Sequence, residues 1–355
     1  MRIIQQILLV SISFCAALTS SAQDIHFSQY YNSPLNLNPA MTGVMDCNIR
    51  LVGNYRSQWA SVLRSNAFKT FAVSYDQKIP VGRYDYFSFG LGLWGDKAGA
   101  VSFATNQVKL SASYSKRMGG GRNSGHYLVV GAEGGVAQRS INFVAAQYGT
   151  QYDAATGTYD AGRPSNETFT RDNIVFGDFG AGLLWFSNFA EHTSVYGGLA
   201  MTHLNSPSVS FKDGATNSNE EVVIYPKFTF HAGGEVPLGE KMTLVPSFVS
   251  FFQGPNMEIN PGASFKFLMN QNRRSYQAFQ LGAWYRIGKH FDKPVTSDAI
   301  ILATRFEYET FTLGLSYDIN ISPLRVASNG NGGFEFSLGY QICNNERRGV
   351  YCPTF

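Results

Sequence analysis

No stretch of this sequence reaches the roughly 18 consecutive apolar residues that a membrane-crossing helix requires, so any passage through a bilayer is not made by helices. Charge is scarce too: Asp, Glu, Lys and Arg make up 15 % of the chain, against about a quarter in an ordinary soluble domain. The Lys and Arg present are scattered, the formal net charge is only +3, and no basic stripe forms, which excludes nucleic acid as a partner. Histidine numbers six (His26, His126, His192, His203, His231, His290) with no ligand spacing, so no metal and no cofactor is expected. No Ser/His/Asp grouping announces a catalytic centre, and no enzyme is expected.

What the chain has instead is glycine (36 residues), aromatic residues (14 %) and alternation. Phe311, Leu313, Leu315, Tyr317, Ile319 and Ile321 fall on every second position, separated by Thr312, Gly314, Ser316, Asp318 and Asn320. After a Gly/Asn-rich turn the pattern resumes with Phe334, Phe336, Leu338, Tyr340 and Ile342. Side chains on a strand point to opposite faces in turn, so each strand has one apolar face and one small, polar face. Fourteen such segments are expected, near 47–58, 68–78, 85–96, 105–117, 125–138, 173–187, 191–203, 226–238, 240–252, 257–269, 275–288, 297–308, 310–321 and 332–343. Alternation blurs at 191–203 and 240–252.

A soluble sandwich and a transmembrane barrel both alternate in this way; the connections separate them. The long ones, about 139–172 and 204–225, share one parity with 289–296 and 322–331, while the other parity holds tight turns such as Leu238 to Glu240. Long loops on one rim and short turns on the other are the mark of an outer-membrane barrel, whose short turns face the periplasm. The fold class is therefore all-β: a single transmembrane antiparallel β-barrel of about 14 strands, multi-pass in the cell outer membrane and bathed in its lipid. Its inward face collects charges of both signs, among them Arg50, Arg56, Asp76, Lys109, Glu133, Lys266, Arg286 and Asp318, which predicts ion pairs across the lumen. Gly90-Leu-Gly-Leu-Trp-Gly95 matches G-x-G-x-x-G, but it lies inside a strand with no helix after it, so close backbone packing is the better account.

Residues 1–22 read as a secretory signal: Arg2 supplies the positive end, Ile7 to Leu18 the short apolar core, and Ser20-Ser21-Ala22 the cleavage site. Residues 23–46 form an irregular N-terminal segment, since Pro34 and Pro39 each remove a ladder donor. Tyr30, Tyr31, Leu35 and Leu37 give it more apolar matter than a solvated tail needs, and we expect them to pack in the barrel or its periplasmic mouth. The barrel proper spans 47–343, and a periplasmic C-terminal tail, 344–355, emerges beside the leader. Cys47, Cys343 and Cys352 remain in the exported chain. A Cys343–Cys352 bond is favoured, because local closure needs no long-range register; Cys47 is a rival, because barrel closure sets the first strand beside the last.

Partner contact is expected from the long outward loops. The first holds Tyr148, Tyr152, Tyr159, Arg163 and Arg171, and the second Lys212, Asp213, Glu220 and Glu221; Tyr and Arg are common anchors of protein interfaces.

Several stretches carry a resemblance: "HFSQYYNSPLNLNPAMTG" after the signal, "NYRSQW" from Asn54, "HLNSPSVSF" from His203, "YPKFTFHAGGEVPLG", "LGLSYDIN", "GGFEFSLGY" and the ending "CPTF". Together they resemble the PorP/SprF family. The resemblance implies an outer-membrane barrel of the type IX secretion system and gliding motility of Bacteroidota. Such a barrel supports translocation or cell-surface attachment of a partner protein such as an adhesin, and periplasmic secretion components are further partners it implies. A porin-like channel or solute transporter of the outer membrane is the alternative function.

Overall fold

The computed structural model of this chain describes residues 24–121, 124–167, 169–190, 193–211, 222–270, 275–289 and 295–343. Sixteen strands occur among them: β1 (Ile49–Gln58), β2 (Phe68–Val81), β3 (Asp85–Ala98), β4 (Phe103–Gly119), β5 (Gly125–Ser140), β6 (Tyr152–Asp153), β7 (Thr158–Tyr159), β8 (Asn173–Ala190), β9 (Thr193–Thr202), β10 (Lys227–Pro237), β11 (Met242–Gln253), β12 (Asn256–Asn270), β13 (Gln277–Lys289), β14 (Thr296–Tyr308), β15 (Phe311–Asn320) and β16 (Asn331–Ile342). Only β6 and β7 stand apart, as a two-stranded hairpin in the connection between β5 and β8. The other fourteen form a closed antiparallel barrel in chain order, and β1 pairs β16 from Ile49↔Ile342 to Gln58↔Gly333. Each expected segment is present, with ends displaced by no more than three residues. Among the described residues no helix is long and apolar enough to cross a membrane.

The two faces of the wall follow the alternation. On β3, Phe87, Phe89, Leu91 and Leu93 point outward and exposed, while Tyr86, Ser88 and Trp94 are buried. The same exposed apolar belt continues through Phe71 and Val73, Val108 and Leu110, Leu281 and Leu302. A surface so apolar would drive association in water, whereas in a bilayer it meets acyl chains.

The blur at 240–252 has a physical cause. On β11 both parities are apolar, because Val245, Val249 and Phe251 face a packed interior while Phe252 faces lipid. The β10/β11 ladder also skips, from Gly233↔Ser247 to Val236↔Leu244, and Pro246, which has no N–H to donate, sits at the gap.

The cysteine expectation is corrected. Cys47 is bonded to Cys343, with their Cα atoms 4.3 Å apart. Closure pairs Ile49 with Ile342, so the residues just beyond the two strand ends meet at the seam. Cys343 is therefore not available to Cys352, which lies outside the described residues together with the rest of the tail and the signal segment.

Candidate functional site

The lumen is the site, because the chain fills it. From Phe27 to Met45 every residue of the leader is buried except Asn36, which is half-buried. It descends in three single turns, Tyr30–Asn32, Pro34–Leu37 and Pro39–Met41. The two prolines that deny it a strand each open a turn, where a missing N–H costs nothing. Asn38 caps the last, its side chain accepting from Ala40 N at 2.8 Å.

The path runs from rim to rim. Asp24 meets Lys227, which opens β10, and Gln253, which ends β11, both at the rim of long connections. At the far end of the leader, Met45 O and Asp46 O accept from Lys78, near the short turn between β2 and β3. The leader therefore does not stay at the rim of short turns where the barrel ends at Cys343, as the sequence suggested, but runs through the barrel to the opposite mouth.

Wall cations grip its carbonyls. Arg50 donates to Met41 O (3.0 Å) and Val44 O (3.2 Å), Arg56 to His26 O (2.7 Å) and Lys109 to Leu35 O (2.8 Å). Wall carboxylates take its amides: Glu335 accepts from Ser28 N (2.8 Å) and Gln29 N (2.9 Å), and Asp76 from Gly43 N (2.7 Å). Buried backbone polar groups must be partnered, and here a chain without a ladder finds its partners on side chains.

Apolar packing adds to this hold. Tyr30, Tyr31, Leu37, Ala40, Met41 and Val44 join Tyr127, Phe186, Tyr196, Val249 and Trp284 in one cluster, with Tyr31 stacked on Trp284 at 5.3 Å between ring centroids. Leu35 is also buried, against Gly90: a β-carbon added there would lie 2.8 Å from Leu35 Cδ2. Gly90, the first glycine of the run on β3, thus makes room for the leader, while Gly92 faces Lys109 and Gly95 faces Phe71. A crevice of about 50 Å³ remains beside Tyr31, Asn32, Arg50 and Arg305.

The charges do not pair across the lumen as expected. Arg50–Asp76 joins β1 to β2, Lys109–Glu133 β4 to β5, Lys266–Glu307 β12 to β14, and Arg56–Asp318 and Arg286–Asp318 strands two apart. A side chain spans one or two strands of wall, and the leader occupies the axis.

At the outer mouth, His203, in the loop just past β9, holds Asp178 through Nδ1 (2.9 Å) and lies 3.4 Å from Asp24 through Nε2. Burial opposes its charge, but the bonds and charges of Asp178 and Asp24 outweigh it and raise its pKa to about 9. A pKa raised above the unfolded value near 6.5 stabilises fully below that value and is lost as pH rises through 9. With Lys227 facing the same Asp24, protease trimming of the leader's outer end should be slow and constant below pH 6.5 and should accelerate towards and beyond pH 9. A rate that does not change over that interval would show that His203 does not hold the leader.

On the same rim the β5–β8 connection is folded. Phe143 stacks on Phe169 at 3.8 Å, with Tyr148 and Phe211 alongside. Of the expected contact residues, Tyr148, Tyr159 and Arg171 line one cleft of about 790 Å³. Tyr152 is exposed and pairs with Tyr159 across the β6/β7 hairpin. Arg163 is bound within the loop, 2.8 Å from Asp153. Lys212, Asp213, Glu220 and Glu221 lie outside the described residues. The sequence reading passed over Asp24, His203, Gln253 and the inward aromatics. Runs such as Tyr127-Leu-Val-Val130 and Leu183-Leu-Trp-Phe186, apolar on both parities, were the available signal for a filled lumen.

The family model described as type IX secretion system membrane protein PorP/SprF matches residues 19–340. No curated protein matches this chain. Among solved structures it is similar to CdiB from Escherichia coli, with a TM-score of 0.45 and 8 % identity over 82 % of this chain. It spans only 63 % of that protein. It is also similar to the CymD monoaromatic hydrocarbon channel (TM-score 0.46, 10 % identity, 92 % of this chain and 96 % of that one). A third likeness is to a mutant of the TodX monoaromatic hydrocarbon channel (TM-score 0.43, 11 % identity, 87 % and 92 %). These likenesses concern the barrel shape alone.

Proposed function

We propose a function from one premise: this chain belongs to the PorP/SprF family of type IX secretion system membrane proteins, and it is a β-barrel of the outer membrane. On our reading it supports translocation or cell-surface attachment of a partner protein such as an adhesin, in the service of secretion or gliding, and it catalyses no reaction. The observation that carries this reading is the combination of a filled lumen with a folded outer loop. A barrel whose axis carries buried chain from Phe27 to Met45 is filled where a porin is open, which weighs against a porin-like role. Its distinctive surface is then the rim, where Tyr148, Tyr152, Tyr159, Arg163 and Arg171 gather on one connection. Loops of this length inside a compact fold are usually functional or disordered, and the stacked Phe143, Phe169 and Tyr148 favour the former.

Deleting 149–165 removes the β6/β7 hairpin but no barrel strand. The variant should keep its place in the outer membrane and its heat-modifiable mobility, while surface display of the partner falls severalfold in a whole-cell immunoassay. Normal display after that deletion would remove this loop from the mechanism.

A further inference from the structure

The outer part of the leader closes on a site built for a carboxylate. Lys227 Nζ lies 3.2 Å and His203 Nε2 3.4 Å from Asp24 Oδ2. Asp24 N donates to Gln253 Oε1 at 2.9 Å, and Lys227 donates also to Ile25 O at 3.1 Å. A second layer orients the imidazole: Asp178 Oδ1 lies 2.9 Å from His203 Nδ1, Asp178 Oδ2 accepts from Gln107 Nε2 at 2.7 Å, and Gln107 Oε1 accepts from the Trp94 indole. His203, Lys227, Asp178, Gln107, Gln253 and Trp94 are each more than nine-tenths buried. They come from β3, β4, β8, the loop after β9, β10 and β11, so the barrel fixes the site whether or not Asp24 is in it.

Charge defines the ligand. Set Asp24 aside and Lys227 loses its paired carboxylate while His203 keeps Asp178; Glu258 lines the same crevice, and Arg139 and Asp96 also act on Asp24. A buried ammonium without its carboxylate demands a counter-ion, and the contacts that Asp24 leaves behind are sized for one carboxylate group. Position defines the exchange. The Asp24 side chain is still partly open to solvent at the outer mouth, and no disulfide among the described residues ties this part of the leader to the wall, whereas the base of the leader runs into the Cys47–Cys343 bond. We propose that the outer mouth is a carboxylate-binding site, filled in this state by the chain's own Asp24 and open to a carboxylate presented from the cell surface when Asp24 withdraws. A protein chain end and a small organic acid share the required chemistry.

Chemical rescue tests this on the full-length barrel reconstituted in liposomes. Asp24→Gly should leave folding intact by heat-modifiable mobility but speed trimming of the leader by external thermolysin about tenfold or more, the scale of losing a buried charge pair. Millimolar acetate or formate should restore protection, and chloride at equal ionic strength should not. A short peptide that protects at far lower concentration as the free acid than as the C-terminal amide would identify a chain end as the natural source. Acetate acting as well as the free-acid peptide would identify small acids. The double variant Asp24→Gly/Lys227→Met should show no rescue. The proposal fails if Asp24→Gly is as protected as the wild type, if chloride rescues equally, or if rescue survives loss of Lys227.

Discussion

Removing residues 24–45 while keeping residues 1–23 and Cys47 should turn a barrel that carries no steady current into one that does. The deletion takes away Phe27, Tyr30, Tyr31, Leu35, Leu37, Met41 and Val44, all buried in the interior. At about 1.5–3 kcal/mol for each large side chain, their burial is worth up to roughly 10–20 kcal/mol, an upper bound set by an extended reference chain. It also strips Arg50, Arg56, Lys109 and Lys227 of main-chain acceptors. Fourteen strands enclose more space than wall side chains can fill, so water takes the vacated axis. The unfolding midpoint should drop sharply in urea, and a planar bilayer should show a stable open level that the intact protein lacks. A second variant separates loss of the leader from loss of the fold. Gly131→Val leaves the leader in the chain but sets a side chain against the backbone of Pro39 and Ala40, and should open the same level at least part of the time. A silent deletion barrel, or steady current through the intact one, would overturn the plug.

The second large effect is expected from one carboxylate. Asp318 Oδ2 accepts from Arg286 Nη1 at 2.8 Å and Arg56 Nη2 at 3.1 Å, and the Ser28 hydroxyl donates to Oδ1 at 2.8 Å. Asp318 is 3 % exposed and the two arginines 2 % and 3 %. Asp318→Asn keeps the shape but leaves two guanidinium groups facing each other across a neutral amide. Breaking a buried ion pair from one side costs about 3–5 kcal/mol, and because Arg286 keeps Glu258 at 3.4 Å the loss falls chiefly on Arg56. The variant should unfold at clearly lower urea and release the leader at Ser28. Arg163→Ala, which breaks the solvent-exposed pair with Asp153 in the outer loop, should leave the midpoint unchanged within error. Equal effects from the two substitutions would mean that burial of the Asp318 cluster is not what matters.

Both predictions rest on features that the sequence supplied only in part. Mixed charges on the inner parity were visible, and so was the apolar content of Tyr30, Tyr31, Leu35 and Leu37. The pairing of Asp318 with Arg286 was not, because those residues lie 32 positions apart and on strands separated by another. The outer-mouth site draws on Asp24, Asp178, His203, Lys227 and Gln253, which no local spacing connects.

Strand number, strand ends, the lipid-facing set and the sorting of long and short connections were determined by the sequence itself, since all follow from a two-residue period and from loop lengths. The course of the leader, the choice of Cys47 over Cys352 and the direction of the ion pairs were decided only by the tertiary structure. Alternation places a side chain inside or outside the wall, but it carries no information about what meets that side chain once inside. That depends on closure, which sets Cys47 beside Cys343 over 296 residues of chain, and on the width of the lumen, which side chains cannot bridge and a peptide can.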